Sequence, residues 1–100
     1  MLVALTGPLA LGSPSERSTP TCIDVWGEAR YRNYGYDHIV HVNDRCSAAA
    51  ICDVSTDVNP EVQRFTIAAG QEIEVVTYRG SPSREFRPHV ECRLVPVGPG

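Results

Sequence analysis

The stretch "YDHIVHVNDRCSAAAICDVST", residues 36–56, decides the fold. Apolar and polar side chains alternate along it with period two. Tyr36, His38, Val40 and Val42 fall on one side, and Asp37, Ile39, His41 and Asn43 on the other. After a polar break at Asn43–Ser47 the alternation resumes, with Ala50, Cys52 and Val54 together. A period of two is the signature of a strand with one face buried.

The same pattern extends outward in both directions. "CIDVWGEAR" sets Ile23 and Val25 against Asp24, Trp26 and Glu28. "VQRFTIA" pairs Phe65 with Ile67, "QEIEVVTY" pairs Ile73 with Val75, and "HVECRLV" aligns Val90, Cys92 and Leu94. The breaks "RNYG", "NDRCS", "DVNPE", "AAGQ" and "RGSPSREFRP" carry turn chemistry. No window shows the i, i+3, i+4, i+7 repeat of an amphipathic helix. Strands at this spacing, without room for crossover helices, predict an all-β fold. The expectation is a small antiparallel β-sandwich, Ig-like, of about six to seven strands.

The chain of 100 residues is read as one domain over 22–96, with a flexible tail at 97–100. A core this small is marginal and benefits from covalent staples. The four cysteines supply them. Cys46 and Cys52 flank a short break, and Cys22 and Cys92 lie at the two ends of the domain. The pairing expected from this layout is Cys46–Cys52 with Cys22–Cys92. Loop-closure entropy assigns them roughly 2.3 and 4.4 kcal/mol. A zinc site would need a second close pair of ligands, and a redox site a C-x-x-C at a helix start; neither spacing occurs.

Residues 2–11, "LVALTGPLAL", are apolar but too short to span a bilayer. With the small residues at Ala10–Gly12 they read as a signal peptide over 1–12, truncated in that it lacks a positive n-region. Residues 13–21 are Ser- and Pro-rich and read as a flexible lead-in. Paired cysteines and an export signal together point to a secreted or periplasmic protein, with no membrane insertion of the mature chain. The net charge of −3 comes from nine Arg, no Lys and twelve acidic residues with no clustered basic stripe, which excludes a nucleic-acid surface. The absence of Lys fits a GC-rich coding sequence. The run Asn43, Cys46, Cys52, Asp53, Val54 and "TDVNPE" resembles short cysteine-stapled β-sandwich proteins of bacterial secretomes, without pointing to an activity.

Functional signals are sparse. Trp26, Tyr31 and Tyr34 concentrate aromatics around one connection and are the candidate binding residues, for a protein or glycan partner. His38 and His41 are three positions apart, so on a strand they face opposite sides. His41 and His89 share outward parity and form the alternative reading, a copper or zinc site on neighbouring strands. The alternate oxygens of Asp53, Ser55, Asp57, Asn59 and Glu61 lack the Gly and Glu of a calcium loop and read as a polar strand face ending in an Asx-type turn. No nucleophile motif, phosphate loop or HExxH is present. The expectation is therefore a binding or structural role without cofactor or catalysis. A small metal-binding protein stands second and a small hydrolase third.

Overall fold

The computed structural model describes residues 19–96; the expected signal segment, residues 13–18 of the expected lead-in and the tail at 97–100 lie outside them. Six strands follow in order: β1 Ile23–Arg32, β2 Gly35–Asp44, β3 Ala50–Thr56, β4 Gln63–Ile67, β5 Glu72–Ser81 and β6 Pro88–Leu94. They form two antiparallel three-stranded sheets, β1-β2-β5 (sheet A) and β4-β3-β6 (sheet B). The inward faces read from the sequence are the ones that meet in the core, with two differences: β2 is buried on both faces, and Leu94 is exposed. Ile23, Val40, Val42 and Val75 from sheet A meet Ala50, Cys52, Val54, Ile67 and Cys92 from sheet B in one buried cluster. Val25, Phe65, Ile73, Phe86 and Val90 pack against its margins.

β1 and β2 join through a tight hairpin in which Arg32 pairs with Gly35. Its two central residues, Asn33 and Tyr34, both have positive φ, 51° and 65°. Such a turn matches the twist of the flanking strands. Gly35 is obligatory there, because a Cβ would stand 2.9 Å from the backbone of Gly80.

All four cysteines are disulfide-bonded, but in a different pairing from the expected one. Cys22 joins Cys46, and Cys52 joins Cys92, with Cα–Cα distances of 5.1 and 4.1 Å. The reason is topological. Residues 45–49 do not close a hairpin; they carry the chain from sheet A to sheet B, so Cys46 and Cys52 leave in different directions. Ile23 pairs with Asp44, and the Arg45 N–H donates to the Cys22 carbonyl at 3.0 Å, which places Cys22 beside Cys46. Cys52 and Cys92 are direct partners across β3 and β6. Each sheet thus carries its own staple, and neither bond ties the first strand to the last.

The last residues of the expected lead-in are held in place. The Thr19 hydroxyl donates to the Val90 carbonyl and accepts from the Cys92 N–H, both at 3.1 Å, and the Ile23 N–H closes a turn on the Pro20 carbonyl. The polar run after β3 forms an Asx turn. The Glu61 N–H donates to Asn59 Oδ1 at 3.2 Å, while Asn59 Nδ2 reaches across to the Thr77 carbonyl at 2.6 Å.

Candidate functional site: a tyrosine-rich tip of sheet A

The chain holds four tyrosines, and the fold gathers all of them at one end of sheet A. Tyr31 pairs with Tyr36 in the β1–β2 ladder, their rings edge-on at 5.3 Å. Tyr78 lies opposite His38 in the β2–β5 ladder. Tyr34 occupies the hairpin apex. Three of the four rings are solvent-exposed: Tyr31 at 60%, Tyr34 at 95% and Tyr78 at 42%. The β2–β5 ladder shifts register on both sides of His38. Such irregularities re-aim side chains near the end of a ladder.

At the same end of sheet A, on the opposite face from Tyr31 and Tyr36, lies a hollow of about 200 Å³ lined by Arg32, Asn33, Asp37, Arg79 and Gly80. Asp37 is its buried base, accepting the Gly80 N–H at 3.1 Å. The exposed Arg79 guanidinium stands 3.8 Å from the Asp37 carboxylate. Two guanidiniums against one carboxylate leave the hollow with a cationic excess. Tyr and Arg are the residue types that anchor protein interfaces, because they offer large contact area, few rotors and directional polar groups.

A second, separate arrangement covers the middle of sheet A's outer face. Trp26 stacks on His41, with ring centroids 4.9 Å apart and planes 3° from parallel. The His41 ring is buried. Its Nε2–H donates to Glu28 Oε1 at 2.7 Å. Its Nδ1 has no hydrogen-bond partner and lies 3.4 Å from Glu72 and 4.0 Å from Glu74. Arg30 grips Glu28 through two 3.0 Å bonds. That guanidinium, and then the His41 bond, hold the Glu28 carboxyl below the ordinary carboxylate range.

The sequence-derived candidates are therefore divided. Tyr31 and Tyr34 belong to the tip. Trp26 does not: it sits on the outer face, five positions from Tyr31, and strand alternation puts the two on opposite sides of β1. His41 and His89 do not meet. β2 pairs with β1 and β5, while β6 pairs with β3 in the other sheet. Among the described residues, no group of three or more His, Cys, Asp or Glu side chains is arranged to hold a metal ion. Tyr78 and Arg79 were not legible as site residues, because only the β2–β5 pairing brings Tyr78, Arg79 and Gly80 to the β1–β2 hairpin, and Arg32, on the hairpin itself, becomes a site residue only through the hollow it shares with Arg79. No protein-family model matches the chain, and neither the curated proteins nor the solved structures give a significant match.

Proposed function

We propose that this is an extracytoplasmic, non-catalytic binding module that engages a protein partner through the tyrosine tip. The observation that carries this reading is Tyr34. A bulky side chain at φ 65° stores backbone strain, and this one is 95% exposed, with almost no burial in the fold to compensate. A residue kept in that state is explained by a contact outside its own chain. Tyr31 and Tyr78 flank it on one face of sheet A and the arginine-lined hollow on the other, so a partner that wraps the hairpin tip and offers an acidic side chain fits it. The two disulfides in a small domain fit an oxidising compartment. The sheet order supports the Ig-like reading: β1-β2-β5 and β4-β3-β6 correspond to strands A-B-E and C′-C-F of such a sandwich.

Tyr34→Gly separates binding from stability. Glycine relieves the left-handed strain, so the melting temperature holds or rises, while binding of acidic peptides selected on the wild-type protein is lost. Unchanged peptide binding in this variant sinks the tip reading. Selection of neutral glycans instead of acidic peptides would replace the partner class. Export is tested separately by mass spectrometry of the native protein, where an intact Met1 in a cytosolic fraction counts against it.

A further inference from the structure

Among the described residues, β6 is an edge strand with no strand on its outer side. The Val90 carbonyl and Cys92 N–H both point away from β3, since Thr19 reaches them from outside the ladder. Among the described residues, no strand pairs with the outward backbone groups of the even-numbered residues of β6, and the Thr19 hydroxyl meets one donor and one acceptor of the row. An open edge is a template for another strand. The edge of β5 differs, because Asn59 caps its Thr77 carbonyl, and β4 is only five residues long.

The outer-face charges of β6 form no close ion pair among the described residues, Arg93 acting on Asp53 only through space. Glu91 lies opposite Asp53, a like charge, and Arg93 opposite Ile51. Among the described residues neither Glu91 nor Arg93 forms a salt bridge within the chain, although Asp53 is bound by Arg64 at 2.7 Å. Both charged side chains are exposed.

We infer that β6 pairs edge to edge with β6 of a second copy of this chain. The pairing is antiparallel about a two-fold axis at Cys92. Cys92 then faces Cys92, Val90 faces Leu94, and Glu91 faces Arg93 twice over. The backbone requirement and the charge requirement select this register together. The hydrogen-bonded pairs fall on even residues, where the outward groups are. Sliding the copy so that Glu91 meets Glu91 creates repulsion, and sliding it so that Pro88 meets Cys92 removes a donor. An incoming strand takes over the two bonds now made by the Thr19 hydroxyl. Sheet B becomes a continuous six-stranded sheet across the dimer. This surface is distinct from the tyrosine tip and goes beyond the binding reading.

Sedimentation equilibrium on the full chain tests it, at concentrations up to about 1 mM, the weak end of specific association. The wild type is expected to dimerise. Glu91→Arg places an arginine opposite Arg93 at both positions and should weaken the dimer about tenfold or more. Arg93→Glu should do the same. An equimolar mixture of the two variants should form a heterodimer, because each then offers the charge the other lacks. Thr19→Ala frees the edge and should raise the dimer fraction. Melting temperatures of the charge variants should stay near the wild type, since both sites are exposed. A wild type that is monomeric throughout the range overturns the inference, as does a dimer indifferent to both charge reversals. Tyr34→Gly leaves the dimer intact, so failure of this surface and failure of the tip are told apart.

Discussion

The two sheets bury their outward faces very differently. On sheet A, Ile39 and His41 point away from the core between the sheets, yet they are as hidden as core residues, at 1% and 6% exposure. On sheet B the equivalent outward residues Ile51, Asp53 and Ser55 are only half-buried. The cause is the width and composition of the flanking strands. β1 and β5 run ten residues on either side of β2 and lay Trp26, Glu28, Arg30, Glu72 and Glu74 over it. Long charged side chains cover apolar and aromatic surface with their stems while their heads stay in water. β3 is flanked by strands of five and seven residues, and its outward polar group is held by the exposed Arg64–Asp53 pair. A short chain can thus bury its central strand on both sides without a second core. Where the flanking strands are too short to do so, a disulfide at the sheet centre holds the pairing instead.

The largest expected effect follows from that last point. Replacing Cys52 and Cys92 with alanine removes a bond closing a 40-residue separation, worth about 4 kcal/mol in the loop-entropy account. Denaturant unfolding should show most of the stability gone, with sheet B exchanging its amide hydrogens first. Loss of Cys22–Cys46, a 24-residue separation at the end of the wider sheet, should cost about 3.5 kcal/mol and leave sheet B protected. Uniform loss of protection in both variants would show that the sheets do not depend on separate staples.

The second test compares Ile39→Ala with Ile51→Ala. Both residues face outward, yet the first should cost about 2–5 kcal/mol, the range of a buried cavity. The second should cost under about 1.5 kcal/mol, because the site is already partly wet. Equal costs by chemical denaturation would remove the distinction between the two faces.

A smaller effect is expected from Trp26→Ala. The side chain is 42% exposed, but it stacks on His41, so truncation should cost about 1 kcal/mol. Trp26 is the chain's single tryptophan, so its fluorescence reports directly on that face. The emission of Trp26 should shift when His41 is replaced and stay constant in Tyr34→Gly.

Acid sensitivity is the finest probe. Arg30 and then His41 lower the Glu28 carboxyl from 4.5, and Arg64 lowers Asp53 from 3.8. A depressed folded-state pKa contributes stability that is complete above the unfolded value and is lost as pH falls through the folded one. Stability should therefore decline below about pH 4.5 for the sheet A pair and below about 3.8 for sheet B. Arg30→Met should flatten the first part of that decline and Arg64→Met the second. A decline unaltered by both substitutions would place acid sensitivity elsewhere.

Much of this architecture is written locally. The period-two alternation around Val40 and Val42, around Cys52 and Val54, and around Ile73 and Val75 determined six strands and the faces that meet in the core. The even count of cysteines, with Cys46, Cys52 and Cys92 on inward faces, pointed to disulfides, and all four are bonded. Strand alternation also determined that His38 and His41 part company, one against Phe86 inside and one under Trp26 outside. Which strand lies beside which was decided only by the tertiary structure. Parity says which face a residue takes, but not which strand becomes its neighbour, because neighbours are chosen by the burial of whole faces across the chain. So Cys46 met Cys22 instead of Cys52, and His41 and His89 came to lie on different sheets. Ile39 vanished under side chains whose coverage no local pattern records. For the same reason the tip depends on Tyr78 and Arg79, which the β2–β5 ladder brings to the hairpin from some forty residues further along the chain.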